Sequence, residues 1–455
     1  MLAVGICVAC FAVAYLAGRR SLALGLLAVI GVGYAYGLLR ANLRESASHF
    51  IFDAALIGLY MSQSWQFSPE ERERTGPLRA WTAVLLVWPV LICLLPFQTL
   101  LVSLVGLRGN IFMLPALLLG ARLRGKDLRL LAYGLAVFNV IALSFATAEY
   151  FLGVERFFPL SEVTRLIYAS SDVAGYKYLR IPSTFVNSAV YAATMVISLP
   201  LLYAVWSQPS RSRLRWLILL LAIVASLAGV LMGASRLQFV VASVVIAAAL
   251  LGGRARTWER LAWGVMILTL ACVALTNERF QRFQSLSDTD MVADRIAGSV
   301  NRSFWEILAE HPMGNGLGGG GTSIPYFLQN QVKAPVVMEN EYARILLEQG
   351  VVGLVLWVGF IAWALSRRTA FNTNLWQHGR RLAWFACACY FGTGLIGTGL
   401  LTAIPHSLLF FLLIGWITVR QVSEEYDFEP PQRFLFADRS GLLHHEPVTA
   451  KSRWS

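Results

Sequence analysis

The sequence predicts an all-α fold: a polytopic transmembrane helical bundle of about 12 to 13 spans with a large, partly helical outside loop. Three observations predict it. Of 455 residues, 57% are hydrophobic and only 14% charged, whereas a soluble globular domain carries about a quarter charged residues. The mean hydropathy is +0.60. The apolar residues gather into runs close to membrane-spanning length, such as Trp216–Met232, Leu261–Thr276, Val352–Leu365 and Leu382–Leu401. Backbone groups inside a bilayer must be satisfied internally, which leaves helices or closed barrels. A barrel would alternate polar with apolar positions, and these runs are solidly apolar, so helices are predicted.

Taken in order, the predicted spans are 1–17, 21–39, 47–62, 80–105, 110–122, 128–150, 183–206, 214–232, 236–252, 259–276, 341–365, 381–399 and 403–420. Residues 1–17 lack a basic leader before the apolar core and read as a first span rather than a cleaved signal. The chain then divides into N-terminal transmembrane helices (1–150), an outside loop (151–182), central helices (183–276), a large outside loop (277–340), C-terminal helices (341–420) and a disordered cytoplasmic tail (421–455). Segment 110–122 is short for a span, and Glu70 to Arg79 is mixed in sign. Thirteen spans with an outside N-terminus and twelve with an inside one both fit.

The net charge of +12 is distributed as short basic loops: Arg19-Arg20, Arg122 to Arg129, Arg211 to Arg215, Arg254 to Arg260 and Arg367 to Arg381. In a membrane protein that pattern is first a topology signal, marking the cytoplasmic side. With no basic soluble domain to carry it, nucleic-acid binding is excluded. The connections near 151–182, 233–235, 277–340 and 400–402 then lie outside. All six cysteines fall in apolar runs, which argues against a disulfide or zinc framework. No metal site or cofactor is expected.

Four constellations on the outside could carry chemistry. Arg180 opens Arg180-Ile-Pro-Ser-Thr-Phe-Val-Asn187 and leads into a span. It reads either as a snorkelling helix-start arginine or as an anion clamp, since a guanidinium fork matches phosphate oxygens. Arg236 joins two apolar helices on the side that the positive-inside bias disfavours, and ionisable groups at membrane level usually face a cavity or a partner. His311 opens the glycine loop His311–Gly321, which is either a linker or a set of bare amides able to cradle phosphate. Finally, Glu339-Asn340-Glu341-Tyr342 precedes Arg344 and Glu348, whose i,i+4 spacing supports an ion pair. Glu339 stands at the outer water boundary, where a carboxylate can act as general base or simply complement the helix dipole.

Together these residues resemble the O-antigen ligase and polymerase superfamily of bacterial multi-span membrane enzymes. The resemblance covers roughly residues 180–420. It rests on Arg180 with Thr184, Phe185 and Asn187; on Ser235-Arg236; on His311-Pro-Met-Gly-Asn-Gly-Leu-Gly; and on Asn340-x-Tyr342 followed by Glu348-x-Gly350-x-x-Gly353. It implies a metal-independent, inverting glycosyl transfer from an undecaprenyl-diphosphate-linked oligosaccharide at the periplasmic face of the cytoplasmic (inner) membrane. By position, Arg180 and Arg236 take the diphosphate clamp. Glu339 or Glu341 supplies the base, with Asn187, Asn340, Tyr342, Arg344 and His311 in support. The partners implied are a growing glycan or lipid A-core acceptor, membrane lipids and chain-length regulator proteins. Where ligases have a histidine before the motif asparagine, this chain has Glu339, which shifts the expectation toward a polymerase of O-antigen, capsule or exopolysaccharide. O-antigen ligase is the nearest alternative. A lipid-linked glycan transporter or flippase would grip the same phosphate, but its discontinuous helices and internal pseudo-symmetry are not evident in the sequence. A non-catalytic scaffold leaves Arg236 unexplained.

Overall fold

The computed structural model describes residues 1–43, 45–159, 169–173, 176–208, 212–251, 303–321, 324–336, 338, 340–367 and 375–419, together with 264, 283, 290, 293–294 and 297–298. Apart from Gly264, the expected span 259–276 lies outside these residues, as do the expected tail 421–455 and the basic loop Arg254 to Arg260. Among the described residues, eight helical stretches are long and apolar enough to cross a membrane. The chain is an all-α, multi-pass membrane protein.

The helices are α1 (Leu2–Arg20), α2 (Leu22–Leu43), α3 (Ile51–Ser62), α4 (Pro69–Cys93), α5 (Leu100–Ile111), α6 (Ala116–Arg122), α7 (Gly125–Leu152), α8 (Ser188–Trp206), α9 (Arg213–Met232), α10 (Arg236–Leu251), α11 (Ser303–Glu310), α12 (Glu341–Ser366), α13 (Leu375–Thr393) and α14 (His406–Thr418). A short antiparallel strand pair, β1 (Ala169–Val173) and β2 (Tyr176–Leu179), stands in the first long connection.

Several boundaries differ from the predicted ones, the predicted 381–399 being helix Leu375–Thr393, and two of the differences change the path of the chain. The run 80–105 is not one span: α4 ends at Cys93, the chain turns through Leu94 to Thr99 around Pro96, and α5 begins at Leu100. The polar segment Glu70 to Arg79 is the start of α4. There Ser68 and Glu71 form a reciprocal capping box and Pro69 occupies the first helical position, where its missing N–H costs nothing. Residues 110–122 in turn complete a 23-residue span from Leu100 to Arg122, bent at Phe112 to Pro115.

Side-chain contacts sort the helix ends into two sets. At one end the N-terminal ammonium pairs with Glu45 at 2.9 Å. At the other, Gln63 donates to Gly18 O at 3.1 Å, and Arg122 donates to Ser64 O and Gln66 O. Arg129 meets Gln208 and stacks over Trp376, and Arg380 donates to Ile417 O and Val419 O. The described basic clusters therefore collect at the end opposite the N-terminus. The sequence alone left this orientation open.

Helices α8 and α14 form the centre. All 13 residues of α14 are buried, while α1 leaves Val4, Val8, Val13 and Leu16 exposed as a lipid-facing surface. Small residues permit the closest approaches, as is usual between membrane helices. A Cβ on Gly120 would meet Leu412 O, and one on Gly415 would meet Leu117 O. One polar knot crosses this apolar core. Asn139 donates to Ser198 Oγ and Ser226 Oγ, each at 2.8 Å, and accepts from the Tyr34 hydroxyl at 2.5 Å. Interhelical hydrogen bonds of this kind contribute about 0.6–2 kcal/mol each.

Candidate functional site

The first motif is a shaped loop. Ser183 takes a left-handed backbone (φ 54). Its N–H donates to Glu149 Oε2 at 2.8 Å and its hydroxyl to Ala142 O at 2.7 Å. The loop then passes so close to α2 that a Cβ on Gly37 would meet the Phe185 carbonyl. It ends at Asn187, whose Oδ1 accepts from Val190 N at 2.8 Å and caps α8. Capping asparagines supply one of the donors' missing partners at a helix start.

The second motif is a tight corner between α9 and α10. Gly233 ends α9, Ala234 adopts φ 48, and Arg236 is the first residue of α10. Gln238, one helical half-turn on, accepts from the Tyr390 hydroxyl at 2.8 Å.

The third motif docks on the fourth. Gly314, Gly316, Gly318 and Gly321 all have positive φ, a conformation open to glycine. The loop meets α12 where that helix is interrupted: Gly350 has φ 71 and ψ −177. Pro312 O accepts from Val351 N at 3.0 Å, and Leu347 O accepts from Asn315 N at 2.5 Å. The apparently continuous span 341–365 is thus a broken helix, with Leu347 O and Val351 N satisfied by the glycine loop and Gln349 O accepting from Trp88 Nε1 at 3.1 Å.

The fourth motif starts α12. Asn340 Oδ1 accepts from Tyr342 N and Ala343 N, and Tyr342 donates to Phe391 O at 2.7 Å. Arg344, 1% exposed, lies between two carboxylates, Glu341 and Glu348, each at 2.7 Å; the predicted i,i+4 pair is present. Asn110 and Gln349 extend this cluster to α5. Glu341 is also 1% exposed, and its Oε2 accepts from Gly399 N at 2.7 Å. Glu339 lies outside the described residues.

Near the end of the bundle that carries the N-terminus is a cavity of about 470 Å³, within the range of small-molecule sites. Its wall includes Val186, Asn187, Ala189 and Val190 from the first motif, Leu237 and Gln238 beside Arg236, and the segment Gly397 to Ile404 that Glu341 holds from behind. Two motif segments therefore border one space. The side chains of Arg180, Arg236, His311, Asn340, Tyr342, Arg344 and Glu341 are not among its described lining.

Three charged groups and an imidazole in its described lining were not singled out from sequence: Arg40, Asp53, Arg108 and His49. Arg108 pairs with Asp53 at 2.6 Å and packs over Phe50. Asp53, a single acid within the apolar run 47–62, was the available signal, since ionisable groups at membrane depth usually face cavities. Among the described residues, no cluster of three or more His, Cys, Asp or Glu side chains could hold a metal ion. No protein-family model matches this chain, and a search of curated proteins finds no match either.

Proposed function

We propose that this chain joins undecaprenyl-diphosphate-linked glycan units during synthesis of a cell-surface polysaccharide, as a polymerase at the outer face of a bacterial cytoplasmic membrane. The observation that carries the reading is the cavity bordered by both the Asn187 segment and the start of α10 at Arg236. Two supports accompany it. The cavity lies at the end of the bundle opposite the described basic clusters, which the positive-inside rule makes the outer side. Its wall is rich in uncharged hydrogen-bonding groups, including Asn187, Gln238, Gln329, Thr393 and Thr398, which suit hydroxyl-bearing substrates.

In the proposed reaction an acceptor hydroxyl oxygen attacks the anomeric carbon as the bond to the diphosphate oxygen breaks, with inversion. The hydroxyl proton passes to a carboxylate, Glu339 in this reading. The departing diphosphate keeps the bonding pair, and Arg180 and Arg236 offset that charge. Fixed cations act most strongly where charge develops in the transition state. O-antigen ligase chemistry differs only in the acceptor.

The interruption of α12 at Gly350 favours one other class, a lipid-linked glycan transporter, because discontinuous helices recur in that class. Purified protein in liposomes, given a lipid-linked repeat unit without added metal or other enzymes, separates the readings. Lengthened glycan chains support the polymerase. Translocation without lengthening supports the transporter, and neither result defeats both.

A further inference from the structure

We infer that the cavity seats a carboxylate-bearing sugar, with Arg40 and Arg108 receiving the carboxylate; its identification as a sugar rests on the glycan-transfer reading. Two guanidiniums, from the last turn of α2 and from α5, line the space against one carboxylate, Asp53. Asp53 is 5% exposed and holds Arg108 at 2.6 Å, so Arg108 is presented in a fixed orientation. Arg108 also donates to His49 O at 3.4 Å, and Arg108 Nε and both Asp53 oxygens are buried without a hydrogen-bond partner of their own, so the ion pair holds its place by charge more than by hydrogen bonding.

Charge decides the ligand class. With the imidazoles neutral, the described lining carries one net positive charge, which a monoanion neutralises. A diphosphate, bearing two or more negative charges, would remain under-compensated in a space where buried charge is costly. The Glu341–Arg344–Glu348 cluster behind the wall offers no further cation, because its carboxylates occupy Arg344, Asn110 and the Gly399 amide. Guanidinium forks match carboxylate oxygens two by two. Among the described residues, the remaining polar lining, Asn187, Gln238, Gln329, Thr393 and Thr398 included, is uncharged, which suits the hydroxyls of a sugar ring. The glycan handled is therefore an acidic one, and the lipid diphosphate falls to other residues.

The test uses the full chain in lipid nanodiscs and ligand-observed saturation-transfer NMR. D-glucuronate is the probe, with glucose and inorganic pyrophosphate as comparisons. Glucuronate is expected to bind about tenfold or more tighter than glucose, a difference of about 1.4 kcal/mol. Arg40→Gln, and Asp53→Asn combined with Arg108→Gln, should each remove that preference. The double variant deletes the ion pair as a unit, since Arg108→Gln alone would strand a buried carboxylate. Should the double variant fail to fold, Arg108→Lys keeps the charge, loses the fork, and should weaken glucuronate several-fold. Equal binding of glucuronate and glucose, an unchanged preference in Arg40→Gln, or displacement of glucuronate by equimolar pyrophosphate would each overturn the inference. Glycan lengthening without glucuronate preference removes this inference and leaves the proposed function. Glucuronate preference without lengthening does the reverse.

Discussion

Glu341 reaches Gly399 across 58 residues of sequence, its Oε2 accepting the glycine amide at 2.7 Å while Oε1 faces Arg344. One carboxylate thus braces the start of α12 and the cavity wall at once. A buried cation held between two acids, with Asn110 and the Gly399 amide also donating to them, is the paired and hydrogen-bonded arrangement in which buried charge persists.

The first prediction concerns Arg344. Arg344→Leu strands Glu341 and Glu348 as buried carboxylates with no cation between them. Removing one partner of a buried ion pair costs about 3–5 kcal/mol. The variant should show a large drop in thermal unfolding temperature in detergent. An unchanged transition would mean that the cluster does not brace α12.

The second uses two glycines as probe and control. A methyl group on Gly37 would strike the Phe185 carbonyl and push on the loop carrying the first motif, whereas one on Gly76 in α4 meets nothing within 4 Å. Gly37→Ala should cost about 1–3 kcal/mol through overpacking. Gly76→Ala should be neutral or stabilising by up to about 1 kcal/mol through helix propensity. Unfolding midpoints of the two variants check the contrast, and equal shifts would contradict it.

The interruption of α12 gives the third. Gly350 holds φ 71 against Met313 O and the glycine loop, so an alanine there is both strained and crowded. Gly350→Ala should destabilise by about 1–3 kcal/mol and should also increase protease cleavage within 311–321 as the loop undocks. Wild-type cleavage of that loop would show that the break and the loop are independent.

These particulars show which parts were legible in sequence. The Arg344–Glu348 pair was legible because helical spacing is local, whereas Asn187 and Asn340 were named only through the resemblance and turn out to be helix caps. The partners that give them context were hidden: Asn110 meets Arg344 from 234 residues away. Arg40 and Arg108, single charges at the edges of apolar runs, carry no local motif that marks them. The run 80–105 concealed its own break because hydrophobicity carries no direction. Pro96 was the clue, since a proline ends or bends the helix before it.

The fourth prediction bears on the proposed chemistry through two arginines that precede the cavity-lining segments in sequence. Arg180 precedes the loop shaped by Ser183 and Glu149, and Arg236 opens α10 immediately before Leu237 and Gln238 in the wall. If the two guanidiniums stabilise a departing diphosphate, Arg180→Ala or Arg236→Ala should each abolish polymer formation while membrane insertion and unfolding temperature stay near wild type. The loss expected is at least 10²-fold, the usual effect of deleting one fixed electrostatic contact to developing charge. Lysine at either position keeps the charge but loses the planar fork, and should recover only part of the rate. Normal chain-length ladders in both alanine variants would transfer the leaving-group role away from these arginines.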